Sequence, residues 1–123
     1  YDIRVNALAP TAATQMTGDV LPEGSLKQLD PALVSPGVVH LVGDHAPTRA
    51  ILCAGAGHFA AAHVTLTDGV QIGGGGEATA KVAQNWNRIT DRSGEIVPDY
   101  GFTQAEREVA AAQGAKEELA RAY

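Results

Sequence analysis

The sequence is poor in cysteine, in aromatic side chains and in basic charge. Its single cysteine, Cys53, cannot close a disulfide within the chain, which is typical of a reducing compartment. Lys and Arg number 9 against 14 Asp and Glu, and the formal net charge is -5, which argues against nucleic acid or an anionic membrane as a partner. No apolar run approaches the roughly 20 residues of a membrane-spanning helix, and the N-terminus has no leader-like pattern. The composition therefore predicts a soluble, cytoplasmic protein.

Two apolar segments have the character of β-strands. Residues 3–9 alternate apolar and polar side chains before Pro10 stops the pattern, and residues 50–54 are continuously apolar. The forty or so residues between them contain a helix, which a hairpin does not need but a parallel pair does. The sequence therefore predicts a βαβ unit with a right-handed crossover.

The helix between the strands carries its own start and stop signals. Asp30-Pro31 and Ser35-Pro36 are typical of helix N-termini, Gly43 is typical of a C-terminus, and residues 11–29 before them show no clear period and predict a long, partly ordered loop. The predicted buried face of the helix consists of Leu33, Val34, Val38, Val39, Leu41 and Val42.

The C-terminal half is less regular. Residues 59–66 predict an extended segment and 69–72 a short one, and Gly73 to Gly76 form a flexible joint before a helix over 77–90 with Trp86 in the core. Thr103-x-x-Glu106 predicts a capping box for a last helix, whose thin apolar stripe suits a surface appendage or a partner-contacting arm.

We expect a division into residues 1–72 and 73–123. Because two parallel strands leave an edge and a sheet face open, we also expect more chain at the N-terminus or a partner that completes the sheet.

Several motifs have a structural and a functional interpretation. Residues 55–60 satisfy G-x-G-x-x-A, but an extended segment follows, so a tight strand end is favoured over a phosphate site. Residues 73–76 lack the Lys-Ser/Thr of a P-loop. The histidine pairs are five residues apart, a spacing that places them on neither one helix face nor one strand face. Asp and Glu are not clustered with them, which predicts no metal site. Cys53, inside an apolar strand, predicts an inert core thiol.

Residues 1–10, Tyr-Asp-Ile-Arg-Val-Asn-Ala-Leu-Ala-Pro, resemble the sixth sheet strand of the short-chain dehydrogenase/reductases, although Thr11 replaces the usual glycine. Residues 14–17 resemble that family's Thr-Asp-Met-Thr region, 31–44 its helix before the last strand, and 51–57 that strand. A closer resemblance is to the (3R)-hydroxyacyl-CoA dehydrogenase unit of peroxisomal-type multifunctional enzymes, and it includes Asn85-Trp86. The resemblance covers roughly residues 1–91.

The resemblance implies an α/β fold: the C-terminal portion of a Rossmann-like doubly wound parallel sheet, that is, its last βαβ unit, with a C-terminal helical extension. It implies NAD or NADP as cofactor, an alcohol/ketone or acyl-CoA substrate, and a homo-oligomer. The implied cofactor-binding residues are Pro10, Thr11, Ala12, Ala13 and Thr14. The implied substrate-binding residues are Met16, Thr17 and Leu21. The alternative for this loop is an ordinary connection after a strand that ends at proline.

The family's dinucleotide fingerprint, catalytic serine and Tyr-x-x-x-Lys all precede the strand that opens this chain. None of the three tyrosines is followed by a lysine four residues later. The resemblance therefore implies an enzymatic parent polypeptide, no catalytic residue in this chain, and no activity of the chain alone. The alternative is a non-enzymatic module that oligomerises through its open sheet edge.

Overall fold

The computed structural model describes residues 2–122 and contains two compact units. The first extends to His63 and the second begins at Val64.

A three-stranded sheet forms the centre of the first unit. In the order β1-β2-β3, β1 and β2 are parallel and β2 and β3 are antiparallel. A short helix, α1, Glu23–Leu26, and a longer one, α2, Ser35–Val42, lie between β1 and β2 along the chain. The predicted parallel pairing of the two strands is confirmed. The strands are β1, Ala7–Pro10; β2, Ile51–Gly55; and β3, His58–Ala62.

β1 is shorter than the strand predicted over residues 3–9. The segment before Ala7 bonds instead to the loop that precedes β2. Arg49 N donates to Val5 O at 2.8 Å, and the Asn6 side chain accepts from Ala50 N at 3.0 Å. The backbone groups before Ala7 therefore bond to the loop that precedes β2. The pairing of β1 with β2 begins only at Ala7, opposite Ile51.

The helical segment between β1 and β2 begins and ends as predicted. The Asp30 side chain accepts from Ala32 N at 2.9 Å and caps a 3₁₀ turn, Pro31–Leu33. The helix α2, Ser35–Val42, follows directly and ends at Gly43. Proline in the first turn and glycine after the last explain both boundaries.

The predicted burial of this helix is largely wrong. Val34 is 8% exposed, whereas Val39 is 68% and Val42 78% exposed. The helix approaches the sheet through Gly37, where a Cβ would lie 2.9 Å from Leu52 Cδ2. Beyond this point of contact, Val39 and Val42 have most of their side-chain surface uncovered. Ala54 on β2, 3% exposed, is the most buried of the core side chains.

Residues 55–58 form a tight hairpin between β2 and β3. Gly55 pairs with His58, which leaves Ala56 and Gly57 as the loop, with φ of 53° and 75°. Two positive φ angles in a two-residue loop are characteristic of a type I′ turn. The glycine pattern here is therefore a strand end, as favoured from the sequence, and no helix follows it to bind a phosphate.

Ala56 is the strained residue of this hairpin, because the Cβ of an L-residue makes the left-handed backbone conformation unfavourable. We expect Ala56→Asn to stabilise the first unit by about 0.5–1 kcal/mol, since asparagine tolerates this conformation and Asn-Gly is a preferred type I′ pair. Ala56→Val is the matched control and should destabilise it. Urea unfolding followed by circular dichroism measures both; equal stabilities for the two variants would contradict the assignment.

The second unit is less regular than its sequence suggests. Leu66 and Ile96 form an isolated antiparallel bridge, with N–O distances of 2.9 and 3.0 Å. Residues 69–72, predicted as a short strand, contain no strand. The extended segment predicted over 59–66 is a strand only as far as Ala62.

The helix predicted over residues 77–90 is broken into two. The helix α3 spans Ala78–Gln84 and α4 spans Trp86–Ile89. Asn85 between them has φ -100° and ψ 11°, and its side chain donates to Lys81 O at 2.8 Å. This bond lets the amide side chain compete with the continuing helix. Trp86 is 58% exposed, so its predicted place in the core is wrong.

The last helix, α5, spans Thr103–Ala122, and in the described part of the chain Thr103 and Glu106 do not form the predicted capping box. Thr103 is already helical, and Glu106 N donates to Phe102 O at 3.0 Å. The Glu106 carboxylate accepts from the Tyr100 hydroxyl, which raises the pKa of that tyrosine. Within the described residues, no helix combines the length and apolarity needed to cross a bilayer.

Glu95 links two segments of the second unit. Its carboxylate accepts from Arg92 Nε at 2.9 Å and from the Thr65 hydroxyl at 2.9 Å, one residue from the Leu66–Ile96 bridge on each strand. The hydrogen bonds from Arg92 and then Thr65 lower the pKa of Glu95.

We expect this bridge to loosen in acid. Because the folded pKa lies below the unfolded value, near 4.3 for a glutamate, the stabilisation is present above that value and is lost as the pH falls through the folded pKa. Hydrogen exchange at the Leu66 and Ile96 amides tests this. After correction for the intrinsic exchange rate at each pH, the protection of these two amides should decline below about pH 4. Glu95→Gln should remove that pH dependence. If the pH dependence persisted in the variant, another titrating group would be responsible for it.

Candidate functional site

The predicted cofactor loop lies at the carboxyl ends of two parallel strands. Pro10 ends β1 and is paired with Ala54, the last but one residue of β2. Thr11 N then donates to Ala54 O at 2.8 Å, so the chain leaves the sheet directly beside β2. In open α/β sheets, ligands bind in the crevice outside the carboxyl ends of the strands.

Gly55 brings the loop against the end of β2. A Cβ on Gly55 would lie 2.9 Å from Thr11 O and 3.6 Å from Leu29 Cδ2. Both ends of the loop over residues 11–29 therefore contact the same point on the sheet. The absence of a side chain at Gly55 allows this approach.

Thr17 holds the first turn of the loop together. Its hydroxyl donates to Ala12 O at 2.8 Å and accepts from Thr14 N at 2.8 Å. Ala13 N donates to Leu29 O at 2.7 Å, which closes the loop at its far end. A short helix, α1, Glu23–Leu26, lies within the same loop. The loop is thus ordered by its own hydrogen bonds.

The predicted cofactor-binding residues remain accessible within this framework. Thr11 and Thr14 are exposed, and Ala12 and Ala13 are half-buried. The Thr14 hydroxyl accepts from Met16 N at 3.3 Å, which leaves its own proton free to donate. Ala12 N donates to no acceptor in the described part of the chain. An N–H and an O–H donor therefore lie two residues apart at the strand ends.

The predicted substrate-binding residues lie in the same loop and differ in their exposure. Met16 is 88% exposed and Leu21 is half-buried. Thr17 is engaged by the internal bonds described above. Among residues 2–122, no group of three metal-ligating side chains is assembled, and Cys53 is half-buried rather than in the core.

A cavity of about 800 Å³ lies in the second unit, where the sequence predicted no site. Its polar lining includes Arg107 of α5, whose Nη2 donates to Thr67 O at 3.0 Å. Arg107 looks in the sequence like one more surface charge on a polar helix. No local pattern distinguishes it, because the segment it contacts lies forty residues away along the chain.

Comparisons with known proteins define the class to which the chain is similar. A protein of Mycobacterium tuberculosis named as a short-chain type dehydrogenase/reductase is 37% identical over 101 residues, which cover 81% of this chain and 35% of that protein. The predicted resemblance to this family is confirmed. The peroxisomal hydratase-dehydrogenase-epimerase of Saccharomyces cerevisiae is 49% identical over 41 residues, 33% of this chain and 5% of the yeast protein. No family model matches the sequence.

The fold has a counterpart among solved structures. Full-length peroxisomal multifunctional enzyme type 2 from Drosophila melanogaster superposes with a TM-score of 0.62 at 20% identity, over 95% of this chain and 20% of that one. At this identity the likeness concerns the fold, and it supports the predicted α/β, Rossmann-like class. The chain spans about a third of the length of its Mycobacterium relative and a smaller share of the other two.

Proposed function

We propose that this chain is part of an NAD(P)-dependent short-chain dehydrogenase/reductase that interconverts a hydroxyl and a ketone, with a 3-hydroxyacyl-CoA as the candidate substrate. The observation that carries the proposal is the 37% identity to a relative bearing the family's name. The loop at the carboxyl ends of β1 and β2 is consistent with it. In this proposal the chain is the C-terminal βαβ part of the sheet together with a helical extension.

The residues of the loop fit a nicotinamide carboxamide. The carbonyl oxygen of that group accepts hydrogen bonds and its NH₂ donates them. Ala12 N and the Thr14 hydroxyl, donors without an assigned acceptor in the described residues, match the carbonyl oxygen. When bound, the cofactor supplies hydride chemistry. The chain's own contribution is to hold the carboxamide: Pro10 and Thr11 fix where the loop begins, and Thr17 orients Ala12 and Thr14.

The proposal assigns no proton transfer to this chain. By resemblance, the serine, tyrosine and lysine of the family precede it. The purified 123-residue chain should therefore transfer no hydride with NAD or NADP and a 3-hydroxyacyl-CoA. Turnover that co-purifies with the chain and exceeds background would overturn this assignment.

A chimera tests the role of the loop. Residues 2–122 would replace the matched region of the Mycobacterium relative, and hydroxyacyl-CoA and secondary alcohols would be assayed with both cofactors. In an active chimera, Thr14→Ala should raise the cofactor Kd about threefold to tenfold, the value of one hydrogen bond. Thr14→Ser keeps the hydroxyl and is the control. A folded chimera without dehydrogenase activity would contradict the proposed function.

The alternative is a non-enzymatic module that assembles through its open surfaces, and the exposed valines of α2 favour it. Val39 and Val42 are 68% and 78% exposed, and among the described residues the edge strands β1 and β3 each pair on one side only. Such surfaces recruit partners. We propose a homo-oligomer with residues 50–66 at its contact and C2 symmetry. Sedimentation of the chain at micromolar concentration tests this, and a stable monomer would contradict it.

A further inference from the structure

The cavity of the second unit combines an apolar wall with one cationic group. Val70, Ile72, Val82 and Ile89 contribute aliphatic surface, and Arg107 lies among the polar residues that α5 contributes. The cavity measures about 800 Å³, large enough for a small organic molecule. All of its lining residues belong to the second unit.

The Arg107 guanidinium is only partly satisfied. Nη2 donates to Thr67 O at 3.0 Å and to Asp68 Oδ1 at 3.4 Å. Nη1 is buried and has no hydrogen-bond partner among the described residues. A guanidinium binds carboxylates best as a fork, with two parallel hydrogen bonds. Burying a charged donor without an acceptor costs free energy.

Asp68 makes a weak carboxylate partner for this fork. It reaches one guanidinium nitrogen, at 3.4 Å, and its side chain is 74% exposed. An exposed single contact of this length contributes little and is readily exchanged for water. Asp68 therefore lies where a carboxylate binds Arg107, but it does not form the bidentate pair that the guanidinium allows.

We propose that the cavity binds a small molecule with one carboxylate and an aliphatic body. The ligand carboxylate bonds to Nη1 and Nη2 of Arg107 and displaces the Asp68 side chain to solvent, while the aliphatic body contacts the apolar wall. Glu108, whose carboxylate accepts from Gln104 Nε2 at 3.0 Å, also lines the cavity and opposes an anion. This opposition is screened by salt. The inference does not depend on the proposed dehydrogenase function.

Hexanoate and its neutral analogue hexanamide are the probes. Titration into the ¹⁵N-labelled chain should give saturable shifts at the amides of Gly69 and Gly73, which line the cavity. Hexanamide should bind at least about tenfold more weakly, because it carries no charge for the guanidinium. Equal affinity of the two probes, or shifts scattered over the surface without saturation, would overturn the proposal.

Three variants test the exchange of carboxylates. Arg107→Lys keeps the charge without the fork and should weaken hexanoate binding about tenfold. Asp68→Asn removes the competing carboxylate and should tighten binding about threefold. Gly94→Ala should also tighten it, because the new Cβ would overlap the Asp68 carboxylate and push it off Arg107 with no change of charge.

The alternative is that Arg107 only fastens α5 to residues 67 and 68. In that case Asp68→Asn and Gly94→Ala would lower stability and leave hexanoate affinity unchanged, a result that would refute the proposal. Far-ultraviolet circular dichroism verifies that each variant is folded. Glu108→Gln serves as the control for a general effect of negative charge, and an increase in affinity as large as that of Asp68→Asn would contradict a specific displacement.

Discussion

Gly55→Val should destabilise the first unit by about 3 kcal/mol, the upper end of the cost of overpacking a site that cannot adjust. A Cβ at this position would lie 2.9 Å from the carbonyl oxygen of Thr11 and 3.1 Å from Thr11 Cβ. The first of these is a backbone atom. It is held there because Thr11 N donates to Ala54 O at 2.8 Å, so the clash can be relieved only by displacing the loop.

Urea unfolding of the variant measures the stability, and hydrogen exchange at the Ala13 amide measures the loop. That amide donates to Leu29 O and should lose protection if the loop moves. Gly24→Val is the control, since a Cβ on Gly24 meets nothing within 4 Å. If Gly55→Val were as stable as this control, the close approach of the loop to β2 would be wrong.

Gly37→Val should destabilise the same unit by about 2 kcal/mol, because it separates α2 from the sheet. The new Cβ would lie 2.9 Å from Leu52 Cδ2 and 3.1 Å from Phe59 Cε1. These atoms are ends of side chains, which rearrange at lower cost than backbone. Gly37→Ala should change stability much less, since alanine gains about 1 kcal/mol of helix propensity that offsets the smaller overlap.

A double-mutant cycle identifies the contact. Leu52→Ala removes the atom nearest to the new side chain, so Gly37→Val in the Leu52→Ala background should cost at least about 1 kcal/mol less than in the original chain. Urea unfolding of the four proteins gives the coupling energy. Strictly additive losses would show that Gly37 and Leu52 are not in contact.

The position of the candidate loop could be predicted from the sequence, because the residues that define it follow one another along the chain. Pro10 ends a strand by lacking an N–H, and residues 1–10 and 14–17 carry the resemblance to the short-chain dehydrogenase/reductases. How the loop is held was not predictable. Thr17 was interpreted as a substrate residue, and its bonds to Ala12 and Thr14 depend on a turn that the sequence does not specify uniquely.

The sequence by itself determined the parallel pairing of β1 and β2, the limits of α2 and the strand end at Gly55. Strand patterns, helix caps and turn glycines act over a few residues, and a long helical connection requires a parallel pair. Tertiary structure alone decided the exposure of the α2 valines and the environment of Arg107. Both depend on which distant segment packs against a side chain, and periodicity describes the face of a helix without describing what covers it.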